Sequence, residues 1–280
     1  MQYCWVVCLL VSFVRSQETV RINGLIDVEP SYPPFSFSEE GKDWTGLCTT
    51  GRYQSPIDIS DDYSNLQIVT AANSTFRELQ VSTPPIPRSN LSLQMVQGLL
   101  VYWLFSTTIE QEILGAVIRQ TMLESHVTVP AEHTYNGLRY PLELHVVYAL
   151  SHPDGNIVAG MNLFILYKEG RADPFLADLI NPNRTTIDLT SVFPASGVVD
   201  DYFYYIGSVD VPWPECWEPI AWYMPNYILE ASPEQIQYFS DPVIKDLSFD
   251  NGKGVIRALQ PLNDRAVYHY ITPRDSSFLS

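Results

Sequence analysis

Short runs of β-branched and aromatic residues recur along this chain, and they constrain its fold more than any other feature. Proline and other turn-forming residues separate the runs, as in the segment 83–87. Their length and composition predict β-strands. The clearest runs are Leu91–Phe105, Ile113–Met122, Tyr140–Leu150, Ile157–Tyr167 and Ile220–Leu229. Helical patterns are confined to Pro174–Leu179 and Ser232–Phe239, so we expect one mostly β domain.

The composition excludes several classes of protein. With 46% hydrophobic and 17% charged residues over 280 positions, the chain can bury a large core and is not disordered as a whole. Acidic residues outnumber basic ones 32 to 16, which gives a formal net charge of -16. That charge repels phosphate backbones, glycosaminoglycans and anionic lipids. Nucleic-acid binding is therefore not expected.

The N-terminus has the pattern of a secretory signal. Residues 1–16 contain an apolar run from Cys4 to Val14, which is too short to cross a bilayer as a helix. No later segment reaches membrane-spanning length, so we expect no membrane-spanning segment after signal removal. The sequence predicts a signal peptide over 1–16 and a secreted, extracellular domain over 17–280.

Cysteines and glycosylation motifs agree with secretion. Cys48 and Cys216 are the two cysteines of the predicted mature chain. In an oxidising compartment such a pair is typical of a disulfide that closes a long loop, and the alternative is two buried free thiols. Three Asn-x-Ser/Thr motifs, at Asn73, Asn90 and Asn183, predict a glycoprotein.

Four motifs, in order along the chain, resemble those of the α-class carbonic anhydrases. They are WTGLCTTGRYQSPIDI (44–59), EHTYNGLRYPLELHVV (132–147), DYFYYIGS (201–208) and RALQPLNDR (257–265). The resemblance implies an α+β, mostly β fold with a large twisted, mainly antiparallel central sheet, a few surface helices and a conical cleft. It also implies the pairing of Cys48 with Cys216.

The same resemblance implies a reaction and a metal. Family members hydrate CO2 reversibly with a zinc ion held by three neutral histidines. Two of the ligands come from a His-x-His on one strand, and the third comes from the neighbouring strand, where His145 matches. With Gln120 as the anchor of the first strand, Met122 and Glu124 occupy the two ligand positions. A thioether and a carboxylate beside one imidazole make a poor zinc site, so we expect the site to be lost.

A shifted alignment gives a different set. Glu124 and His126 are also two residues apart, so they form a two-histidine, one-glutamate set with His145. Only five residues then separate His126 from Glu132. The competing interpretation is that His126 lies in a loop or at the rim of the cleft.

Other catalytic positions of the family are changed as well. Asp210 replaces the threonine whose hydroxyl bonds to zinc-bound hydroxide and to Glu132, and an ionised carboxylate cannot donate a hydrogen bond. Leu99 falls where fast members carry a proton-shuttling histidine. Glu132 and His133 are retained, and we expect them in a buried hydrogen-bond network. Glu143 matches a carboxylate that orients a zinc-bound histidine.

The cleft wall has two interpretations. Val147, Val158, Val209 and Trp222 match the apolar wall that receives CO2 in the family. The same residue types are also ordinary core, and that interpretation is favoured.

Three hypotheses of function follow. The leading one is a secreted pseudoenzyme with no catalytic residues and no cofactor, which acts as a binding, assembly or structural component with another protein as its partner. The alternative is a zinc-dependent carbonic anhydrase with a remodelled metal site. The third is a binder of a small apolar molecule in a cleft lined by Leu99, Met122 and Trp213.

Overall fold

A computed structural model describes most of the chain. The described backbone comprises residues 20–22, 25–27, 36–62, 64, 66–82, 84–88, 91–96, 99–104, 108–113, 116–151, 157–210, 216–241 and 255–272. Side chains of 20–27, 91–124 and 149–160 are outside the description. The predicted signal peptide and Asn90 also lie outside the described residues.

Strands dominate the described part of the chain. The first ten are β1 (Val20–Ile22), β2 (Leu25–Asp27), β3 (Asp58–Ile59), β4 (Leu66–Val69), β5 (Leu79–Ser82), β6 (Ile86–Pro87), β7 (Leu91–Val96), β8 (Leu99–Leu104), β9 (Thr108–Ile113) and β10 (Ala116–Thr128). The others are β11 (Thr134–Tyr135), β12 (Leu138–Arg139), β13 (Leu142–Ser151), β14 (Ile157–Glu169), β15 (Thr186–Ile187), β16 (Val198–Val199), β17 (Asp201–Gly207), β18 (Ile220–Pro225), β19 (Leu229–Ala231) and β20 (Val267–Ile271).

One large sheet organises the molecule. Its order is β16-β5-β9-β10-β13-β14-β18-β17-β20-β4, with β8 also paired to β10, β7 to β8 and β19 to β14. Most neighbours are antiparallel, whereas β14 runs parallel to β18 and β19, and β20 runs parallel to β4. The predicted mainly antiparallel central sheet is confirmed.

The apolar runs form strands with different bounds. The run Leu91–Phe105 contains two antiparallel strands. The run Ile113–Met122 begins at the last residue of β9 and continues in β10, which ends at Thr128. The run Ile220–Leu229 is divided after Pro225. Strand length depends on pairing with neighbours across the sheet, which an apolar run does not record.

Both faces of the central strands are buried. On β14, Leu163 and Ile165 join a core with the β13 residues Leu144 and Val146. The alternate residue Phe164 joins a second core on the opposite face. Because side chains alternate between faces, a strand buried on both sides is a continuous apolar run.

Three helices are seen in the described regions, namely α1 (Leu47–Thr50), α2 (Pro174–Ile180) and α3 (Pro233–Ser240). Ser232 and Gln235 form a capping box at the start of α3. No helix in the described portion is long and apolar enough to span a membrane.

A disulfide joins the N-terminal motif to the loop after β17. Cys48 and Cys216 are bonded across a sequence separation of 168 residues. Both lie in a small core with Phe37, Trp44 and Val255. The predicted disulfide is confirmed.

Removing this cross-link should destabilise the protein. Because it closes a long loop of the unfolded chain, Cys216→Ser is expected to lower the free energy of unfolding by about 2–5 kcal/mol. Urea denaturation of the oxidised protein measures this. Cys48→Ser and the double variant should match the single variant, and a loss below about 1 kcal/mol for any of the three would contradict the cross-linking role.

Candidate functional site

The candidate site lies on two neighbouring strands of the large sheet, β10 and β13. Glu143 and His145 are two residues apart on β13, so they share a face. Across the ladder, Thr128 pairs with Glu143, and His126 pairs with His145. The rings of His126 and His145 stack, with their centroids 4.4 Å apart. His126 thus lies inside a strand and not in a loop, and this shared face is the floor of the candidate site.

The Glu143 carboxylate makes four close polar contacts within the site. Its Oε2 accepts hydrogen bonds from the backbone N–H groups of Glu132 and His133, each at 2.8 Å. Its Oε1 lies 2.7 Å from His133 Nδ1 and 2.8 Å from His145 Nε2. Glu143, His133 and His145 are fully buried. One carboxylate therefore fixes the segment before β11 and two imidazoles.

A buried chain of polar groups continues from His133. Its Nε2 lies 2.7 Å from the Tyr205 hydroxyl, which is 2.9 Å from Ser55 Oγ. Since an ionised Glu143 only accepts, His133 donates from Nδ1, and Nε2 then accepts from Tyr205. Ser55 Oγ also accepts from the backbone N–H of Ser208. A side chain at Gly207 would collide with Ser55, since an added Cβ would lie 2.1 Å from Ser55 Oγ.

A second acidic pair lies beside His145. Asp210 Oδ2 is 3.6 Å from His145 Nδ1, and Glu132 Oε2 is 3.9 Å from His145 Nε2. The other Glu132 oxygen accepts the backbone N–H of Arg257 at 2.7 Å. Glu132 and Asp210 are 3% and 5% exposed, so both carboxyl groups are shielded from water.

The environments of these carboxyl groups separate their acidities. Burial raises the pKa of Glu132 well above its usual range, and the charges of Asp210 and Glu143 raise it further. Burial also opposes ionisation of Glu143, but the imidazoles of His133 and His145 outweigh it and hold its pKa below the usual range. Glu143 is thus the ionised member, and Glu132 holds a proton more readily.

The donor set does not fit a three-imidazole zinc site. Of the four histidines in the described part of the chain, His126 and His145 face each other, whereas both nitrogens of His133 are engaged by Glu143 and Tyr205. His269 pairs with Asp201 at 2.8 Å. The neighbour of His126 on the same face of β10 is Thr128, whose buried hydroxyl has no hydrogen-bond partner in the described parts of the chain.

A bulge interrupts β10 between two of the predicted ligand positions, Met122 and Glu124. A bulge shifts the ladder so that Met122 pairs with Tyr148, whereas Glu124 pairs with Val147. Tyr148 belongs to the main core and Val147 shares the parity of His145, so Met122 and Glu124 oppose residues of different faces. The ladder register of these two positions therefore changes between them. Their side chains, like those of Leu99 and Val158, are outside the described set, as is Trp213.

The predicted wall residues divide between core and half-buried positions. Trp222 is fully buried, its ring lies 5.6 Å from that of His145, and its Nε1 donates to the Ser208 carbonyl. Val147 and Val209 are half-buried. Trp222 is therefore a core residue that packs beside His145.

Two of the three glycosylation motifs lie among the described residues. Asn73 and Asn183 are exposed, so both are accessible to modification. Neither takes part in the buried network described above.

Sequence reasoning missed part of the network. Arg257 contributes a backbone N–H to Glu132, while its guanidinium donates to the carbonyls of Ser55 and Cys48. Tyr205 links His133 to Ser55. Tyr205 and Arg257 are polar residues within two of the four motifs. Their place in those motifs was the signal that the sequence offered.

Comparison with known proteins agrees with this geometry. The sequence profile of the eukaryotic-type carbonic anhydrases matches residues 39–271. Carbonic anhydrase Nec1 of Nesocodon mauritianus is 29% identical over 247 residues, which are 84% of this chain and 80% of that protein. Dioscorin DB3L of Dioscorea polystachya is 26% identical over 279 residues, or 90% of this chain and 91% of that protein.

A solved structure shows the same fold. It is a hyperthermostable carbonic anhydrase identified from an active hydrothermal vent chimney, with a TM-score of 0.63 and 23% identity. The similarity covers 85% of this chain and all of that one.

Glu143→Gln should be strongly destabilising. The amide cannot replace a carboxylate that accepts two backbone N–H groups and contacts two imidazoles, so we expect a loss of about 3–5 kcal/mol at pH 7. Because its folded pKa is lowered, Glu143 contributes stability above its unfolded pKa of about 4.3, and loses it as pH falls towards the folded value. The gap between the two proteins should therefore narrow below about pH 4.3.

Denaturant unfolding across this pH range measures the gap. Glu230→Gln is the matched control, since that carboxylate pairs with Arg171 at the surface and should matter far less. A gap that stays constant from pH 7 to pH 3 would contradict the ionised state of Glu143.

Proposed function

Because the chain belongs to the eukaryotic-type carbonic anhydrase family, we propose that it keeps the family scaffold without CO2 hydration. It acts as a secreted binding, assembly or structural component. The observation that carries this proposal is the register of β10 against β13. Opposite His145 and Glu143 that strand presents one imidazole and one hydroxyl, His126 and Thr128.

The group at position 210 supports the same conclusion. Catalysis in the family uses a hydroxyl there, which accepts one hydrogen bond and donates another. The Asp210 carboxylate lies 3.6 Å from His145 Nδ1 and raises the pKa of Glu132. An ionised carboxylate has no proton to donate and would repel an anionic nucleophile.

Secretion is part of the proposal. Its support is the apolar N-terminal segment, the exposed motifs at Asn73 and Asn183, and the Cys48–Cys216 disulfide. The partner we propose is another protein. The net charge of -16 favours a basic partner surface, and association through it should weaken as salt increases.

An enzyme with a remodelled metal site is the second candidate. The observation in its favour is that His126 stacks on His145 from the neighbouring strand. Glu124 precedes His126 by two residues and pairs with Val147 on the ladder. These three residues are the set that the shifted alignment predicts.

Stopped-flow CO2 hydration separates the two candidates. With one equivalent of added Zn²⁺, the protein is expected to leave the hydration rate at the value of a heat-denatured sample, because no three of the described histidines converge on one point. A rate that rises with Zn²⁺, falls with a zinc-selective chelator and is lost in His126→Gln would overturn the proposal and establish the enzyme.

A further inference from the structure

Three potential ligand atoms converge on one buried point. One side-chain atom each from Glu132, His145 and Asp210 lies within 4.8 Å of the other two. The three residues come from separate parts of the chain, namely the segment before β11, strand β13 and the loop after β17. The disulfide, the Glu143 network and the central sheet hold these parts in place.

One of these atoms, Asp210 Oδ2, has no assigned hydrogen-bond partner among the described residues. Asp210 is 5% exposed, and its Oδ2 accepts no hydrogen bond from any described residue. This oxygen points at the cluster, 3.6 Å from His145 Nδ1. Buried carboxylates are ordinarily paired, hydrogen-bonded or bound to a metal. A proton held by Glu132 or a bound cation can therefore satisfy this oxygen, and Arg257 contributes positive charge nearby without donating to it.

The orientation of His145 suits a ligand. Its Nε2 lies 2.8 Å from Glu143 Oε1, which favours the tautomer with the proton on that nitrogen. The Nδ1 lone pair then faces Asp210. A carboxylate behind the imidazole is the arrangement that fixes metal-binding histidines in proteins.

The distances suit an ion of ordinary size. Two ligands at about 2.1 Å from a tetrahedral ion are about 3.4 Å apart. The observed separation of Asp210 Oδ2 and His145 Nδ1 is 3.6 Å.

The local charge also leaves room for a cation. Glu143 is compensated by two backbone N–H groups and two imidazoles. The nearby guanidinium of Arg257 donates to the carbonyls of Ser55 and Cys48 and not to the carboxylates. A divalent ion bound here would displace the proton that Glu132 holds, and the carboxylates of Glu132 and Asp210 would then neutralise the charge of the ion.

We propose that Glu132, His145 and Asp210 form a binding site for one divalent cation that accepts mixed oxygen and nitrogen ligands, such as Mn²⁺ or Zn²⁺. Carboxylate and imidazole donors suit these ions. The site shares only His145 with the three-imidazole set, and it replaces the sequence-based expectation of no cofactor. It does not depend on whether the chain hydrates CO2.

The mature chain, prepared without a metal-affinity tag and stripped with a chelator, tests this with Mn²⁺ alone. Electron paramagnetic resonance reports free Mn²⁺ during the titration. We expect one bound equivalent, and an affinity at least about tenfold weaker in Asp210→Asn and in Glu132→Gln. Mn²⁺ should raise the melting temperature of the unsubstituted protein, but not that of Asp210→Asn.

Asp173→Asn is the matched control. Asp173 is also buried, and it caps α2 by accepting the Leu176 N–H, which asparagine can do as well. This variant should bind Mn²⁺ like the unsubstituted chain. Circular dichroism confirms that each variant is folded, and Asp210→Asn alone decides the matter if Glu132→Gln does not fold.

Three results would overturn the proposal. The first is no saturable Mn²⁺ binding by the unsubstituted protein. The second is equal affinity in Asp210→Asn. The third is binding that is lost in His126→Gln and kept in Asp210→Asn, which would assign the ion to Glu124, His126 and His145.

Discussion

The buried carboxylate of Glu143 is the constraint on which the rest of the cleft depends. A charge in a fully buried position is tolerated only when every oxygen is satisfied, and here two backbone N–H groups and two imidazoles do so. In return, Glu143 fixes where the segment before β11 meets the sheet. His133, Tyr205 and Ser55 then extend the same network to the N-terminal motif. The geometry of the scaffold thus rests on polar contacts as well as on its apolar core.

The same network explains how the scaffold can persist when its chemistry changes. Glu143, His133 and Tyr205 bond mainly to one another and to the backbone, so their roles do not require a zinc ion. The proposed loss of catalysis concerns other positions, namely the face of β10 that opposes His145 and Glu143, and position 210. Under that proposal, stability and catalysis depend on different residues of one site.

The sequence was sufficient for the fold because its signals are local. The Pro174 and Ser232 segments form helices as predicted, and the apolar runs form strands. The motifs also identified Glu132, His145 and Asp210 as neighbours of the cleft. The ladder partners of the predicted ligand positions on β10 could not be predicted from the sequence, because spacing along a strand gives the face only when no bulge intervenes. The bulge between Met122 and Glu124 depends on pairing with β13, which is long-range information. The bond from Arg257 to Glu132 comes from the backbone N–H, which leaves no side-chain signal, although the arginine itself lies in one of the four motifs.

A carboxylate–imidazole site in place of three imidazoles makes a specific crystallographic prediction. Diffraction from crystals soaked in Mn²⁺, with anomalous scattering measured at the manganese edge, tests it most directly. The account predicts one anomalous peak within bonding distance of Glu132, His145 and Asp210, with Glu143 still against His145. A peak bound by His126 and His145, with the Asp210 carboxylate turned away, would contradict it, as would the absence of any peak in the cleft.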